Sequence, residues 1–296
     1  MEQPVFRKTR IAPTPSGYLH VGNVLSFAVA AALARKVNAT ILLRIDDLDG
    51  ARIRRPYVED IFDTLHYLGI PWDEGPRDYH QYEKEYSQRH RLESYRSALQ
   101  ALKDEGQLFA CNCSRTQTAA LHKNGIYTDV CRHRNIPLEE DNVSWRLRTD
   151  EEKELAVPVF PDALIKTTLP LSMTDFVVRK KDGCPAYQLA SVVDDHYFGI
   201  DLVVRGEDLW PSTIAQHYLS GLIPGNTFRH AVCYHHPLLT DAGNRKLSKS
   251  AGATSIKFLR EEGKKPADIY SMIAVMLGYR ESVKDFEALL RILLSS

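Results

Sequence analysis

The clearest hydrophobic pattern in the chain lies between residues 20 and 37. Apolar residues recur there at helical spacing: Val21, Val24, Leu25, Ala28, Val29, Ala32 and Leu33. Two short apolar runs flank this pattern, Val5–Ala12 and Thr40–Ile45, and both predict β-strands. Pro13 and Pro15 suit neither a central strand nor a helix interior, so the first strand should end before them. A strand, a helix and a strand in this order predict a parallel unit with a right-handed crossover.

Beyond residue 50 the pattern predicts further helices and strands around one irregular stretch. The predicted helices are 57–68, 84–105 and 211–222, and the predicted strands are 143–148, 175–179, 202–205 and 230–239. The irregular stretch is rich in Cys, Thr and Pro and runs from about Cys111 to Cys184, which is typical of an insertion. Residues 187–196 return to an α/β texture, and residues 256–296 have helical periodicity.

The composition limits the class of protein and its partners but does not predict a fold. The chain has 296 residues, 44% hydrophobic and 26% charged, as in ordinary soluble proteins. We expect a cytoplasmic protein with no membrane partner, because no apolar run approaches the roughly 20 residues that span a bilayer and residues 1–4 lack a signal-peptide pattern. The formal net charge is +0, so a nucleic acid would have to meet a local basic face. Arg52, Arg54 and Arg55 are candidates for that face, and a solvated helix entry is the alternative.

Residues 13–23 combine a rigid turn with the start of the predicted helix. They read Pro-Thr-Pro-Ser-Gly-Tyr-Leu-His-Val-Gly-Asn, and the helix should begin near His20. Backbone N–H groups at a helix start favour an anion, and His20 adds an imidazole donor. Gly22 allows a bulky ligand to lie close to the backbone. The segment therefore predicts a phosphate site, with a plain strand–turn–helix connection as the alternative.

A second candidate phosphate site is the polar segment Lys246-Leu247-Ser248-Lys249-Ser250. Its two lysines can reach one polyphosphate and stabilise the charge that develops on a leaving group. A solvated turn has the same composition. Together with the His20 segment, it predicts an ATP site held from two sides, in which the α-phosphate is attacked.

Charged residues at the predicted strands form a candidate amino-acid pocket. Asp46 follows the strand that ends at Ile45, where open α/β sheets bind ligands, and could receive an ammonium group. Arg10 and Arg205 are candidate clamps for a carboxylate, because a guanidinium group binds one bidentately. An acidic surface loop and structural ion pairs are the alternatives.

Three of the five cysteines cluster in the sequence: Cys111, Cys113 and Cys131. In a reducing compartment this spacing favours a metal over disulfides. Zn²⁺ takes four ligands in a tetrahedron, usually Cys or His, and the chemistry alone favours His122 or His133 as the fourth. Unrelated free thiols are the alternative.

Six segments resemble the class I signature motifs of the glutamyl-tRNA synthetase family, in the same order. They are residues 10–22, 43–49, 72–76, 187–196, 204–209 and 246–250. The resemblance implies an α/β fold, a Rossmann-like parallel sheet with a zinc-bearing insertion and a short C-terminal helical region. The implied segments are 1–108 and 186–252 for the two halves of the catalytic domain, 109–185 for the insertion and 253–296 for the C-terminal helices.

The resemblance also implies a reaction and the residues that perform it. With Mg²⁺, a glutamate carboxylate attacks the α-phosphate of ATP, which gives glutamyl-adenylate and pyrophosphate. The implied glutamate site consists of Arg10, Thr14, Asp46, Tyr187 and Arg205. The implied ATP site consists of His20, Gly22, Asn23 and Lys249, and the implied catalytic residues are His20, Lys246 and Lys249.

A truncated branch of this family, the glutamyl-queuosine tRNA(Asp) synthetases, has a zinc site that resembles Cys111, Cys113, Tyr127 and Cys131. By this resemblance Tyr127 replaces the histidine as fourth ligand. Residues 251–296 are fewer than an anticodon-binding region needs. We therefore expect a monomeric ligase that transfers glutamate to queuosine in the anticodon of tRNA(Asp).

Two positions depart from the family pattern. Position 46 is Asp, where glutamyl enzymes usually have Glu and the related glutaminyl enzymes have Asp, so a close analogue of glutamate stays open as the substrate. Position 14 is Thr where Ser is usual. The alternative functions are a conventional catalytic core that charges a tRNA 3′ end, a non-catalytic tRNA-binding paralogue and a nucleotidylyltransferase for another carboxylic acid. The presence of His20, Lys246 and Lys249 favours catalysis.

Overall fold

The chain divides into two packing units in the computed structural model, which describes residues 6–114, 116, 117, 127, 130–239 and 255–295. The first unit comprises residues 1–90, 202–208 and 234–296, and the second comprises residues 91–201 and 209–233. This division reflects which residues pack together. It does not test the four segments expected from the sequence, which stay a prediction.

Helices and strands alternate over much of the described chain. The helices longer than five residues are α1 (Val21–Val37), α2 (Arg55–Leu68), α3 (Leu92–Asp104), α4 (Tyr187–Tyr197), α5 (Trp210–Ser220), α6 (Ile256–Glu261), α7 (Pro266–Met276) and α8 (Phe286–Ser295). The strands are β1 (Lys8–Ile11), β2 (Thr40–Leu43), β3 (Leu108–Cys111), β4 (Ser144–Leu147), β5 (Leu155–Val159), β6 (Ala163–Thr167), β7 (Val177–Arg179), β8 (Leu202–Gly206) and β9 (Val232–His236). None of the described helices is both long enough and apolar enough to cross a membrane.

A parallel βαβ unit begins the first unit, as the sequence predicts. β1 pairs with β2 in parallel, in the register Lys8↔Thr40 to Ile11↔Leu43, and α1 connects them. β2 ends two residues before the predicted Ile45. The backbone pairing nevertheless continues, because the Asp46 N–H donates to the Pro13 carbonyl at 2.9 Å. The residues that follow the two strands therefore lie side by side.

Helix α1 is buried on nearly all sides because it packs against both the strands and the C-terminal helices. Its neighbours include β1 and β8 on one side and α7 and α8 on another. The apolar stripe predicted in the tail is confirmed in α8, where these residues are buried: Phe286, Leu289, Leu290 and Leu293. A helix that is apolar around its whole circumference is typical of such a buried position.

The predicted helix 84–105 is wrong in its first third. A π-helix occupies Tyr82–Tyr86, Ser87 is extended with ψ 141°, and α3 begins only at Leu92. Asp47 causes this break. Its carboxylate accepts hydrogen bonds from the Ser87 hydroxyl and, at 2.8 Å, from the Gln88 backbone N–H, which removes these groups from a helical arrangement.

The second unit contains an antiparallel sheet in the order β3–β4–β7 and the hairpin β5–β6. β4 and β7 were predicted, but β3, β5 and β6 fall within or beside the stretch expected to be irregular. Neither β5 nor β6 alternates apolar and polar residues, so neither shows the usual sequence pattern of a strand. In addition, β6 is largely exposed, and β5 contains Pro158. β9 begins in this unit, where Cys233 pairs with Val159 of β5.

Candidate active site

His20 caps the first turn of α1 with its side chain. Its Nδ1 atom accepts a hydrogen bond from the Gly22 backbone N–H at 3.1 Å, and the Asn23 side chain accepts one from the His20 backbone N–H at 3.1 Å. Because Nδ1 is an acceptor, the proton of a neutral ring lies on Nε2. The cap therefore fixes an imidazole donor at the helix N-terminus, where the backbone also favours an anion.

Gly22 leaves room for the His20 ring. A Cβ atom at residue 22 would lie 3.0 Å from His20 Cε1 and 3.1 Å from His20 Nδ1, closer than such atoms ordinarily come. The predicted role of Gly22 was to make room for a bulky ligand. The structure adds a second reason for glycine here, which is room for the imidazole that caps the helix.

The segment 246–250, with both candidate lysines, lies outside the described residues. The first described residues after it lie beside the helix cap. Ser255 forms a β-bridge with His20, and the Ile256 backbone N–H donates to the Leu19 carbonyl at 2.8 Å.

The last residue of β9 also contacts α1. His236, the last residue of β9, has its Nε2 atom 2.8 Å from the Ser26 hydroxyl. Its Nδ1 atom lies 2.9 Å from the Pro237 carbonyl, which can only accept, so Nδ1 carries the proton and Ser26 donates to Nε2. Neither Ser26 nor His236 was singled out from the sequence, and no motif there marks them.

Two arginines are buried on strands of the first unit that contact each other, β1 and β8. Arg10 on β1 is 5% exposed and donates to the Val204 carbonyl of β8 at 3.4 Å, and Arg205 on β8 is 4% exposed. None of the three guanidinium nitrogens of Arg205 has a hydrogen-bond partner in the part of the chain that the structure describes. A buried, unpaired guanidinium is costly, and a ligand carboxylate would satisfy it bidentately.

The positive charge of this pair also affects His235 on β9. Burial lowers the pKa of His235, and the charges of Arg205, His236 and Arg10 lower it further, to about 3. The His235 ring is therefore neutral near pH 7. The guanidinium groups of Arg10 and Arg205 thus supply the positive charge in this part of the first unit, which favours an anion.

Asp46 is held by a residue two positions earlier. Arg44 Nε donates to Asp46 Oδ1 at 2.7 Å and Arg44 Nη2 donates to Asp46 Oδ2 at 3.1 Å. The Arg44 side chain is buried, whereas 14% of the Asp46 side chain is exposed. Residues i and i+2 of an extended chain share a face, so this pair could have been found from the sequence. Asp46 therefore has a protein partner besides the substrate ammonium group expected for it.

The expected glutamate-site residues fall in both packing units. Arg10, Thr14, Asp46 and Arg205 belong to the first unit, where the Asp46–Pro13 hydrogen bond brings Asp46 next to the exposed Thr14. Tyr187 belongs to the second unit. It is the first residue of α4, and its side chain is 49% exposed.

The three clustered cysteines form a compact group in the second unit. The sulfur atoms of Cys111, Cys113 and Cys131 all lie within 4.8 Å of one another, and those of Cys113 and Cys131 are 3.5 Å apart. The Tyr127 hydroxyl oxygen lies beside Cys131, because it accepts a hydrogen bond from the Cys131 backbone N–H at 2.8 Å. His133 is exposed and is not part of the group.

The donor set fits a tetrahedral zinc ion. Two sulfur atoms that bind one zinc at about 2.3 Å in a tetrahedron lie roughly 3.8 Å apart, close to the spacing seen here. Cys111, Tyr127 and Cys131 are buried with Phe109, so the group is shielded from water. His122, the other candidate for the fourth ligand, lies outside the described residues.

Arg146 acts on the ionisation of this group. Burial opposes ionisation of the Cys111 thiol, but the charge of Arg146, with smaller contributions from Cys113 and Cys131, lowers the pKa of Cys111. Burial and the hydrogen bond to Cys131 raise the pKa of Cys113 to about 12, and burial also raises the pKa of Tyr127. Cys111 therefore loses its proton more readily than Cys113.

Residues 7–289 match the family described as tRNA synthetases class I (E and Q), catalytic domain. The chain belongs to this family. The α/β fold of this class I synthetase family, with its parallel sheet, was predicted from the signature motifs and is confirmed.

Synthetases of two kinds are similar to the chain. It is 36% identical over 272 residues to the glutamyl-Q tRNA(Asp) synthetase of Prochlorococcus marinus (strain MIT 9313), covering 90% of this chain and 80% of that protein. It is 31% identical over 288 residues to the glutamate–tRNA ligase of Coprothermobacter proteolyticus, covering 91% of this chain. It spans only 58% of the length of that ligase.

The same fold occurs in a solved synthetase structure. The glutamate-tRNA synthetase of Elizabethkingia anophelis superimposes with a TM-score of 0.73 at 23% identity, covering 96% of this chain and 65% of the other. At this identity the likeness concerns the fold alone.

Class I synthetases use ATP to activate an amino acid, and the described site suits both ligands. The capped helix start favours a phosphate, and the buried arginines favour a carboxylate. A synthetase of this class needs little covalent chemistry from its side chains, because catalysis rests on positioning and on neutralising the phosphate charge.

Proposed function

We propose that this protein activates glutamate with ATP to form glutamyl-adenylate. The observation that carries the proposal is Arg205, a buried guanidinium with no hydrogen-bond partner in the described parts of the chain, next to Arg10. A substrate with two carboxylates suits two neighbouring guanidinium groups, because each can bind one carboxylate bidentately. Asp46, beside Thr14, completes the pocket for the ammonium group, and Tyr187 is assigned to the same pocket from the resemblance.

In this proposal the protein positions the reactants and neutralises charge. The His20 Nε2–H donates to a phosphate oxygen at the N-terminus of α1, where the Gly22 N–H holds the ring and the Asn23 side chain holds the His20 backbone. Lys246 and Lys249 stabilise the departing pyrophosphate. Mg²⁺, when bound, would neutralise further phosphate charge. Arg44 holds the Asp46 carboxylate in place to bind the ammonium group.

We further propose that the acceptor is queuosine in tRNA(Asp), in the cytoplasm, and that the enzyme acts as a monomer. Several relatives with 34–36% identity over about nine tenths of this chain are called glutamyl-Q tRNA(Asp) synthetases. The Cys111, Cys113, Tyr127 and Cys131 group, which resembles the zinc site of that branch, also supports the proposal. A conventional synthetase core that charges a tRNA 3′ end is the second candidate, because glutamate–tRNA ligases are similar as well.

Adenylate formation is tested by glutamate-dependent exchange of label between pyrophosphate and ATP. We expect exchange without added tRNA. His20→Ala and Lys249→Ala should each lower the rate by roughly 10²-fold or more, the scale for removing a preorganised charge stabiliser. The matched controls are His80→Ala and Lys264→Ala, which alter exposed residues and should leave the rate unchanged. Near-wild-type exchange in both test variants would contradict the assignment of the ATP site.

We also propose that Cys111, Cys113, Tyr127 and Cys131 hold one structural zinc ion. All four tetrahedral positions would be filled by protein atoms, which leaves no place for a reactive water. When bound, the ion supplies cross-linking rather than chemistry. It ties β3 to the residues around Cys131 and stiffens this part of the second unit.

Metal analysis of protein purified without chelator should give one zinc per chain. Cys131→Ser should lower the zinc content because it removes one of three thiolate ligands. Cys184→Ser is the control, since Cys184 is a free cysteine outside the group. Equal zinc content in the two variants, or no zinc in the wild-type protein, would contradict the proposed site.

A further inference from the structure

The strand next to the cysteines places a buried positive charge against the proposed zinc ligands. Arg146 lies on β4, directly opposite Phe109 of β3, and Cys111 is two residues farther along β3. Diagonal neighbours on one face of an antiparallel pair are within reach of a long side chain. This register places the Arg146 guanidinium on the same face as Cys111 and within reach of it.

The same guanidinium also covers a second proposed ligand. The Cζ atom of Arg146 lies 3.7 Å from the centroid of the Tyr127 ring, which is a close cation–π contact. Arg146 is only 9% exposed, and its Nε atom has no hydrogen-bond partner among the residues that the structure describes. A buried cation with an unpaired donor requires negative charge nearby, and sulfur ligands of a metal would supply it.

Asp175 fixes the position of Arg146. Its backbone carbonyl accepts a hydrogen bond from Arg146 Nη1 at 2.8 Å, and its fully buried carboxylate accepts one from Arg132 Nη1 at 2.6 Å. Arg132 directly follows Cys131. Arg146 and Arg132, which both lie near the cysteine group, thus bind the same aspartate. The Asp175 carboxylate also accepts a hydrogen bond from the Thr149 backbone N–H at 3.0 Å.

We propose that Arg146 is a positioning residue that compensates the negative charge of the metal–thiolate group and thereby sets its metal affinity. Three thiolates and one Zn²⁺ carry a net charge of −1 if Tyr127 stays neutral and −2 if it ionises. Burying such a charge unpaired is expensive, and Arg146 offsets it from within the fold. This inference rests on the proposed zinc site but concerns a residue that is not a ligand.

The test measures zinc affinity directly, by competition with a chromophoric chelator. Arg146→Met should weaken zinc binding about 10- to 100-fold, the range for loss of a group that supports metal ligands. Arg146→Lys keeps the charge and should lie closer to the wild-type protein. Arg179→Met is the control. Like Arg146, Arg179 makes a cation–π contact, with Trp145 at 4.7 Å, and donates to a backbone carbonyl, that of Val143. It lies opposite Trp145 and does not face the cysteines.

Cobalt spectra separate this inference from the zinc site itself. The wild-type protein and Arg179→Met should show sulfur-to-cobalt charge transfer with tetrahedral absorption, and Arg146→Met should need more cobalt to reach it. Circular dichroism of the metal-free proteins checks folding, and Arg146→Gln, which can still donate to the Asp175 carbonyl, replaces a misfolded Met variant. Unchanged affinity in the neutral variants, or equal losses in Arg146→Lys and Arg146→Met, overturns the role of the charge. A wild-type protein without a thiolate–cobalt band overturns the metal site as well.

Discussion

Replacement of Arg205 by Met is expected to lower glutamate-dependent pyrophosphate exchange, measured as kcat/KM for glutamate, by on the order of 10²- to 10³-fold. Truncating one member of a buried, hydrogen-bonded charge pair costs about 2–5 kcal/mol, and the expected loss lies within that range. Arg205 is buried, and its guanidinium has no partner among the described residues, so a substrate carboxylate would be the group that it binds. Arg55→Met, an exposed arginine paired with Glu59, is the control and should change little.

A comparison of two substrates separates substrate binding from a purely structural role of Arg205. Glutamine has the shape of glutamate but lacks the second carboxylate. If Arg205 binds that carboxylate, Arg205→Met should lose much of the preference for glutamate over glutamine. If Arg205 binds the carboxylate common to both substrates, both rates should fall steeply while KM for ATP changes little. A variant with near-wild-type kcat/KM for glutamate would contradict the pocket assignment.

The sequence was most informative where one local rule decides the outcome. Proline ends β1, and helical spacing of apolar residues predicts α1 and the buried face of α8. The Cys-x-Cys spacing with a later cysteine likewise brings three thiols together, because β3 and the chain around Cys131 need only meet once. These predictions required no knowledge of distant contacts.

Contacts between distant segments could not be predicted in the same way. Asp47 breaks the expected helix at Ser87 through hydrogen bonds across 40 residues of sequence. His236 and Ser26 meet across 210 residues. Arg146 on β4 lies within reach of Cys111 only because of its register with β3, a strand that the sequence did not predict. Such residues look like ordinary polar positions until the fold brings their partners close.

Asp46 shows how the two sources of information combine. The sequence identifies its place after a buried strand, and the structure adds Arg44 as its bidentate partner. An Asp side chain is one methylene shorter than a Glu side chain, so the Asp46 carboxylate lies closer to the Asp46 backbone. Arg44 binds the carboxylate in that position. The substrate ammonium group would share this carboxylate with Arg44. In the proposed pocket we therefore expect the choice between glutamate and glutamine to depend on the arginines, and the Arg205 comparison measures this.

The proposed transfer step predicts where the label goes after activation. Radiolabelled glutamate should attach to tRNA(Asp) that carries queuosine, and to a short anticodon stem-loop that carries it, but not to the same RNAs with guanosine at that position. The anticodon loop is single-stranded, so its bases can be turned outwards and read by stacking and edge contacts. The ring hydroxyl of queuosine, absent from guanosine, would receive the glutamyl group.

Nuclease mapping of the labelled tRNA decides between the two candidate acceptors. The label should survive enzymatic removal of the 3′ terminal nucleotides, because the ester would lie in the anticodon. Arg52 and Arg55 are paired with Asp49 and Glu59, so few basic groups on this face would contact phosphates, and the salt dependence should be shallow, about −0.7 in log–log slope for each contact. Loss of the label with the 3′ end, together with labelling of guanosine-containing tRNA, would instead identify a conventional synthetase core.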